Sequence, residues 1–584
     1  MIRTLNKINY LLDRESKKGI LIVFITMVIG GGAELLGVSV LIPLVNIIMD
    51  PNVMKNTRWG KTICSIFSIT DYRIFSMVLI AGVCILYVIK NAYIIFMYKV
   101  LYYFTYSNKR RVVQRLFRCY INREYEFHLN KNVAEMERDI ATDTGLFFEL
   151  ISNVLSIGNE IIICLFLVIY LLITDWIITV LVIAVLGFSL LFFYRIQKKV
   201  QSQRGRENRI AVATATKWML QTFYGIKDTK ILGRENFFIK KYNEAYYRGQ
   251  EANRKNNLAT LYPKPIMETI CVVSFLLVLG IRLLLNSDTK NMTGILAVFA
   301  IASFKLLPSF NKISAYFAAI MFEKESLHAL YSHIKEAEEF DKNPRIKSTI
   351  DGNISFEKEI RIDNLYFHYK DSEDNVLSGV NLVIKKGESI ALIGESGSGK
   401  STLADLILGL LIPQNGKISV DGRNIIDYIG GWRKLIGYIP QSIYLMDDTI
   451  RNNVAYGISE NEIDDDRIWE VLSKAQLDDF VRSLDDGLDS IVGESGARIS
   501  GGQRQRLGIA RALYTNPEIL VFDEATSALD NETEADLMCA IEGLIGTKTI
   551  IIIAHRLNTI RNCDKIFEIR DGKANYIIKE KLSI

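Results

Sequence analysis

A glycine-rich stretch in the second half of the chain has the residues needed to hold a phosphate chain. Residues 394–401 read GESGSGKS, which fits GxxxxGK[ST], and they follow an apolar run and precede a helical one. Glycines let backbone N–H groups approach phosphate oxygens, Lys400 supplies a point charge, and the Ser401 hydroxyl can ligate magnesium. We therefore predict a nucleotide-binding loop made of Gly394, Glu395, Ser396, Gly397, Ser398, Gly399, Lys400, Ser401 and Thr402.

Two consecutive acids follow a second apolar run downstream. The segment EILVFDEATSALD reads as a buried strand that ends in Asp523 and Glu524. Asp523 is placed to hold Mg²⁺, and Glu524 is placed to polarise the attacking water as a general base. Alone, the two acids could also be solvated residues at a strand end; beside a phosphate loop they indicate magnesium binding and activation of a water.

The segment ISGGQRQR at residues 499–506 resembles the signature motif of ABC transporter ATPases, and the resemblance covers residues 357–584 in the family's order. Ile499 stands where the family usually has Leu, which is a conservative apolar change. Glu494 of VGESG resembles the X-loop with which exporters touch the partner's cytoplasmic loops. The resemblance further implies that Tyr369 stacks on adenine, that Gln441 of YIPQ is the Q-loop glutamine with catalytic and metal-binding roles, that Asp530 is the D-loop acid, and that His555 of IIIAHRL is the catalytic switch histidine.

The signature residues also have a physical reason to meet a nucleotide. Ser500, Gly501, Gly502 and Gln503 precede a helical run, so backbone and hydroxyl donors there can face a γ-phosphate. They lie too far along the chain to reach their own phosphate loop easily. This predicts a head-to-tail dimer with two shared ATP sites, as the resemblance also implies.

Two of the implied roles have plain structural alternatives. His555 follows an apolar strand, where a neutral imidazole could hydrogen-bond a γ-phosphate, whereas the role of Tyr369 rests on the resemblance. A lone histidine after an apolar strand, such as His555, is more often a satisfied structural residue, and the surrounding motifs reverse that expectation. Tyr369 taken alone would equally be an ordinary surface or core aromatic.

The first half of the chain reads as membrane protein. Hydrophobic residues make up 49% of the sequence and are concentrated before residue 325, more than one globular core needs. A bilayer core of about 30 Å needs about 20 apolar residues of helix. We predict a transmembrane domain over 1–330, a linker over 331–356 and an ATPase domain over 357–584, with spans at about 19–49, 74–104, 147–173, 176–197, 257–285 and 292–323.

Lysines and arginines predict the orientation. Residues 107–145 carry eight and residues 195–256 carry fifteen, whereas the loop 50–73 carries four. By the positive-inside rule, both termini, the two long loops and the ATPase domain are cytoplasmic. The net charge of +5 is small for 584 residues, so we expect no nucleic-acid partner, and seven scattered cysteines suggest neither a zinc site nor a disulfide framework.

The predicted fold class is therefore an α-helical membrane domain with six transmembrane helices of ABC exporter type, fused to an α/β P-loop ATPase domain. Such a half-transporter resembles ABC exporters, which implies a homodimer that uses ATP and Mg²⁺, with coupling helices on the long cytoplasmic loops. The chain starts about 18 residues before the first span, so we expect no N-terminal peptidase domain of the kind that processing peptide exporters carry.

Three lysines lie in or near predicted spans: Lys90, Lys264 and Lys305. A lysine facing lipid at mid-bilayer is disfavoured by about 2.5–3.5 kcal/mol, which favours a cationic cavity wall for an anionic headgroup. The alternatives are that the lysines snorkel to the interface or pair with Glu34 and Glu268.

The segments GVSVLIPLVNIIMD and FKLLPSFNKI resemble the bacterial Pgl-type flippases for lipid-linked oligosaccharides of protein glycosylation. The resemblance implies that the three lysines face a pyrophosphate, that residues 51–62 form an external helix, and that the protein flips a polyprenyl-pyrophosphate-linked oligosaccharide across the bacterial inner membrane. An exporter of another lipid, a peptide or a drug is the first alternative. A non-transporting ATPase that acts as a switch is disfavoured by six spans.

Overall fold

The computed structural model describes residues 2–40, 62, 65, 71–174, 176–284, 306–341, 352–370, 372, 374–493, 496–524, 541–554 and 560–578. The chain divides into two compact units. The first contains Met1–Arg123 and Lys131–Glu338, and the second contains Glu124–Asn130 and Glu339–Ile584. A short piece of the first long loop therefore belongs with the second unit.

The first unit is helical. Its helices are α1 (Ile2–Leu11), α2 (Arg14–Ser39), α3 (Tyr72–Ile121), α5 (Val133–Arg138), α6 (Thr144–Thr174), α7 (Trp176–Tyr224), α8 (Ile226–Ile231), α9 (Glu235–Leu261), α10 (Pro263–Leu284) and α11 (Leu307–Asp341), while α4 (Tyr125–Asn130) belongs to the second unit. A π-helical turn, Asp139–Asp143, joins α5 to α6.

Within the part of the chain that the structure describes, three stretches are long and apolar enough to cross a membrane: Arg14–Gly37, Tyr72–Ile121 and Val133–Ile173. α3 has 50 residues, or about 75 Å of helix at about 1.5 Å per residue. It is therefore far longer than a hydrocarbon core of about 30 Å. The count of six spans stays a prediction, since residues 285–305 lie outside the described ranges.

Two features of the helices were not predicted from the sequence: a break within one predicted span and an additional N-terminal helix. The segment 257–285, predicted as one span, contains the end of α9 at Leu261 and the start of α10 at Pro263. Proline has no N–H to donate and its fixed φ suits the first helical position, so a new helix begins there. α1, which is not among the predicted segments, buries Ile8 and Leu11 on one face.

The second unit is built on two sheets. Its strands are β1 (Glu359–Phe367), β2 (Leu377–Lys385), β3 (Ser389–Ile393), β4 (Asn415–Val420), β5 (Arg423–Asn424), β6 (Ile436–Ile439), β7 (Ile519–Asp523), β8 (Thr549–Ile553), β9 (Lys565–Arg570) and β10 (Lys573–Ile577). The antiparallel sheet has the order β2-β1-β4-β5, and the other has the order β10-β9-β3-β8-β7-β6. In the latter all neighbours are parallel except β10 and β9.

The central strands of the parallel sheet are apolar on both faces. All five residues of β8 are buried. Ile550 and Ile552 pack into one core cluster, while Ile551 and Ile553 pack into the other. This alternation is the period of a strand covered on both sides, and it explains why the sequence there is a continuous run of isoleucines.

Helices cover this sheet. They are α12 (Lys400–Ile407), α13 (Ile429–Lys434), α14 (Ile450–Val454), α15 (Asp465–Lys474), α16 (Asp478–Arg482) and α17 (Gly501–Tyr514). Leu403 and Ile407 of α12 pack with the cluster that contains Ile551, whereas Leu507 of α17 packs with the cluster that contains Ile550. The two helices that carry predicted ATP-binding motifs thus contribute to different cores.

Candidate active site

Neighbouring parallel strands bring the predicted ATPase residues to one edge of the sheet. β3 leads into the phosphate loop, β7 ends at Asp523, and β6 is followed shortly by Gln441. β8 lies between β3 and β7 and ends just before His555, which is outside the described residues, as is Asp530. Ligands of open α/β sheets bind outside the carboxyl ends of the strands, which is where these side chains lie.

The phosphate loop has a backbone that only glycine adopts without strain. Gly397 has φ of 81° and Gly399, which caps α12, has φ of 100°. A Cβ on Gly399 would lie 3.0 Å from Leu377 Cδ2 and 3.2 Å from the carbonyl oxygen of Val376. A side chain there would therefore be both strained and crowded.

Lys400 reaches back across the loop. Its Nζ donates to the carbonyl oxygens of Gly394 and Glu395, each at 2.9 Å. Burial lowers the pKa of Lys400, while the negative charges of Glu524 and Asp523 act to raise it. The Lys400 ammonium is therefore partly desolvated and lies near two acids. The negative charge of an outer phosphate would stabilise it further.

The phosphate loop has further hydrogen-bond donors that are available to a phosphate chain. Ser398 Oγ is buried, and no hydrogen-bond partner is described for it. The first backbone N–H groups of α12 have no partner within the helix, as at any helix start. These donors point to a bound anion rather than to a closed protein core.

Asp523 has the properties of a metal ligand. The Tyr438 hydroxyl donates to Asp523 Oδ2 at 3.3 Å. Burial, and then the charge of Glu524, raise the pKa of Asp523 above its ordinary value. A divalent cation would relieve this unfavourable charge, and Asp523, Gln441 and the exposed Ser401 hydroxyl offer the oxygen ligands that Mg²⁺ prefers.

Glu524 is oriented by its backbone and by Gln441. Its φ of 49° lies in the left-handed region, which is disfavoured by about 1–3 kcal/mol for a residue other than glycine. Its backbone N–H donates to the carbonyl oxygen of Ile553 at 3.0 Å. Gln441 Nε2 donates to Glu524 Oε2 at 2.7 Å, so the two predicted catalytic side chains are in contact.

Tyr369 lies beside the start of α12. Its hydroxyl is 3.1 Å from Thr402 Oγ1, and its ring meets Phe367 edge to face with centroids 5.0 Å apart. The predicted adenine-binding aromatic is therefore next to the phosphate loop.

The signature residues form the start of α17. Ser500 Oγ accepts from the Gln503 N–H at 3.2 Å, and Gln503 Oε1 accepts from the Ser500 N–H at 2.8 Å, which is a capping box. Ser500 and Gly501 are exposed. The capping box occupies the Gln503 side-chain oxygen, which leaves the exposed start of the helix as the surface available to a nucleotide. Glu494 lies outside the described residues.

Asp405 is a partly buried acid close enough to Asp523 to feel its charge, and the sequence reasoning missed it. It lies on α12, where burial and the charge of Asp523 raise its pKa to about 6. An acid within the otherwise apolar run LADLILGLL was the available signal.

The described lysines of the membrane unit differ in their surroundings. Lys90 is 7% exposed, and its Nζ lies 3.2 Å from Glu34 Oε2 and 4.8 Å from the centre of the Tyr87 ring. Lys264 and Glu268 are both exposed. Lys90 thus has the acidic partner considered as an alternative from the sequence, while Lys305 and nearly all of residues 51–62 lie outside the described ranges.

A further lysine was missed. Lys312, in the segment FNKI, has an Nζ that lies 2.9 Å from Glu160 Oε1, and its side chain is 51% exposed while that of Glu160 is 3% exposed. Asn153 of α6 similarly donates to the buried Glu323 of α11 at 3.0 Å. Polar pairs therefore join α6 and α11 along their length, and Lys312 is the accessible cation among these four residues.

Comparison with known proteins identifies the family. Residues 377–527 match the family described as "ABC transporter", and residues 20–306 match "ABC transporter transmembrane region". The ATP-dependent lipid A-core flippase of Ralstonia nicotianae is 30% identical over 447 residues, which cover 76% of this chain and 73% of that protein. The chain belongs to the ABC transporter family.

Other relatives of this ABC transporter carry the same description. The ATP-dependent lipid A-core flippases of Salmonella typhimurium and Escherichia coli K12 are 33% and 32% identical over 384 residues, which cover 65% of this chain. These alignments span 63% of each relative, less than two thirds of its length.

A solved structure has the same fold. A bacterial Atm1-family ABC exporter with ATP bound superposes with a TM-score of 0.78 at 21% identity, covering 98% of this chain and 96% of that chain. The predicted fold class, a transmembrane exporter domain fused to an ATPase domain, is confirmed. This ABC transporter couples ATP hydrolysis to transport across a membrane.

Proposed function

We propose that this ABC transporter works as a homodimer that flips a phosphate-bearing glycolipid across the bacterial inner membrane. A polyprenyl-pyrophosphate-linked oligosaccharide of protein glycosylation is the leading candidate substrate. The observation that carries lipid flipping is the set of relatives at 30% to 33% identity, which are named as lipid flippases. The finer choice of substrate rests on the Pgl-type resemblance.

Basic residues of the membrane unit support the proposal that the substrate has an anionic headgroup. Lys264 is exposed at the start of α10, and Lys312 is half exposed on α11. Lys305 is added from the sequence alone. Lys90 supports this role less, because it is buried against Glu34.

The ATPase site supports the proposed chemistry of hydrolysis. Ser401, Gln441 and Asp523 would hold Mg²⁺, which would neutralise charge on the transferring phosphoryl group. Glu524 accepts the proton of the attacking water, and Gln441 orients the Glu524 carboxylate through their hydrogen bond. Lys400 and the N–H groups of the phosphate loop bind the phosphate oxygens.

The remaining roles come from the family resemblance. Ser500, Gly501, Gly502 and Gln503 face the γ-phosphate bound by the partner subunit, while Asp530 and His555 complete the shared sites. The positive-inside rule supports a cytoplasmic position for both termini and the ATPase domain. Binding and hydrolysis of ATP at these sites would switch the cavity between inward-facing and outward-facing states.

Translocation in proteoliposomes tests the proposal. A labelled polyprenyl-pyrophosphate oligosaccharide is supplied with ATP and Mg²⁺, and the Glu524→Gln protein controls for leakage. We expect movement by the wild type alone. A normal rate of ATP hydrolysis without movement of this probe would reject the oligosaccharide as the substrate. A parallel assay with lipid A would then decide whether the proposal of lipid flipping is kept.

A further inference from the structure

The adenine-side aromatic, Tyr369, is flanked by two residues whose backbones are held by side chains. On one side, Gln414 Oε1 accepts from the His368 N–H at 3.0 Å and Gln414 Nε2 donates to the His368 carbonyl oxygen at 2.7 Å. On the other side, Glu126 Oε1 accepts from the Lys370 N–H at 3.0 Å. The backbone around Tyr369 is therefore fixed from both directions.

The two clamping residues come from different parts of the chain. Gln414 belongs to the body of the ATPase unit, close to β4. Glu126 belongs to α4, which is seven residues or fewer from helices of the membrane unit on either side. Glu126 thus lies on a short segment of the second unit whose chain neighbours on both sides belong to the first unit.

Glu126 is bound to Lys370 by more than one contact. Besides accepting the backbone N–H, its carboxylate lies 3.4 Å from Lys370 Nζ, and its side chain is only 14% exposed. The neighbouring Glu124 lies 3.8 Å from the same Nζ and makes no described contact with the Lys370 backbone. The backbone bond distinguishes the two acids, since an ion pair to an exposed lysine contributes little.

We propose that Glu126 is a positioning residue for ATP binding, which holds the Tyr369 backbone so that the ring is preorganised to receive adenine. The inference rests on the proposed adenine role of Tyr369. The Thr402 contact fixes the ring hydroxyl, the Phe367 contact fixes a ring edge, and Glu126 fixes the chain that follows. A ring held before binding loses less conformational freedom when the base stacks on it.

We expect Glu126 to affect binding of the adenine base of ATP and not binding of the triphosphate. The phosphate loop binds the triphosphate through Lys400 and backbone donors, none of which Glu126 contacts in the described hydrogen bonds. Loss of the restraint on Tyr369 should therefore weaken the binding of ATP, while the binding of inorganic triphosphate, which has no adenine, should not change. A general folding defect would affect both.

The test uses full-length protein in lipid nanodiscs. We expect Glu126→Ala to raise the KM for ATP about threefold to tenfold, because a charge-assisted hydrogen bond at a partly exposed site is lost. At saturating ATP, kcat should stay within about twofold of wild type. The inhibition constant of inorganic triphosphate against ATP hydrolysis should not change.

Matched variants separate the backbone bond from the charges. Glu124→Ala removes the neighbouring acid, and Lys370→Ala removes the ammonium but keeps the backbone N–H, so both should leave the KM for ATP within about twofold. Should Glu126→Ala fail to fold, Glu126→Gln retains a side-chain acceptor for the N–H and is expected to behave as wild type, whereas Glu126→Leu cannot accept it and should show the raised KM.

Tyr369→Ala distinguishes the adenine-binding role of Tyr369 from the positioning role of Glu126. A raised KM for ATP in Tyr369→Ala with no change in Glu126→Ala would overturn the positioning role alone. An unchanged KM in Tyr369→Ala would overturn the adenine role and the inference with it. Equal effects of Glu126→Ala and Glu124→Ala, or an equal loss of triphosphate binding, would also reject it.

Discussion

Gln441 and Glu524 are hydrogen-bonded, Nε2 to Oε2, at 2.7 Å although 83 residues separate them in the chain. They follow β6 and β7, which are neighbours in the parallel sheet. The proposed general base is thus held by the glutamine that the family resemblance assigns to the metal. Binding of Mg²⁺ at Gln441 would therefore change the environment of Glu524.

Replacing the proposed base should separate binding from hydrolysis. We expect Glu524→Gln to bind ATP with near-normal affinity and to lower kcat by about 100-fold or more, because no carboxylate remains to accept the water proton. Steady-state hydrolysis and equilibrium binding of a fluorescent ATP analogue measure the two effects. Glu518→Gln, just before the start of β7, is the control and should hydrolyse ATP normally. Near-normal hydrolysis by Glu524→Gln would remove it from the base role.

Gln441 should set the magnesium requirement. Gln441→Ala removes one proposed ligand of Mg²⁺ and one hydrogen bond to Glu524, so the half-saturating Mg²⁺ concentration should rise about tenfold at fixed ATP. Titrating hydrolysis with MgCl₂ measures this. A lowered kcat with an unchanged Mg²⁺ requirement would mean that Gln441 only orients Glu524.

Asp405 should make stability depend on pH in the absence of ATP. Its ordinary pKa is 3.8 and burial raises it to about 6, so the folded chain holds more protons than the unfolded chain between these values. Stability therefore falls as pH rises from about 4 to about 6, and the loss persists above that range. Asp405→Asn removes the loss, and we expect a thermal midpoint about 2–4 °C higher than wild type at pH 8.

The pH dependence supplies the control for that experiment. At pH 5 wild-type Asp405 is mostly protonated, so the gain from Asp405→Asn should shrink markedly. Asp427→Asn changes an exposed acid of the same unit and should shift the midpoint at neither pH. An equal gain for Asp405→Asn at both pH values would show that the charge of Asp405 is irrelevant.

The sequence predicts the ATPase site directly because its motifs are local. The phosphate loop needs glycines, Lys400 and Ser401 within eight residues, and the strand that precedes it is a plain apolar run. The meeting of Gln441 with Glu524 also follows from general rules, since carboxyl ends of neighbouring parallel strands share one edge. Glu126 carried no such signal, because its contact with Lys370 joins residues 244 positions apart.

Side chains of the membrane unit were harder to predict because composition does not reveal which way a helix faces. A lysine in an apolar run indicates that the charge is satisfied in some way, and it does not say whether by a cavity or by an acid. For Lys90 the structure has Glu34 on the neighbouring α2 at 3.2 Å. Lys312 is half exposed, a difference that depends on helix rotation rather than on residue type.

The Lys90–Glu34 pair allows the cavity role to be separated from helix packing. We expect Lys90→Met to lower the thermal midpoint, because Glu34 loses the cation that it faces in a poorly hydrated place. Lys90→Met combined with Glu34→Gln should recover most of that loss. If the double variant is stable and flips lipid normally, Lys90 is a packing residue. A stable double variant with no flipping would instead assign Lys90 to the substrate cavity.

Lys312 should respond to the charge of the substrate. Its side chain is 51% exposed although Nζ lies 2.9 Å from Glu160, whose side chain is 3% exposed, so an anionic headgroup can approach the lysine from its exposed side. Lys312→Gln should raise the half-saturating concentration of a pyrophosphate-linked glycolipid about fivefold in transport assays, while Lys312→Arg should stay near wild type because it keeps the charge. The KM for ATP serves as the internal control and should not move. A neutral glycolipid affected as strongly as the anionic one would show that Lys312 matters only through its pairing of α11 with α6.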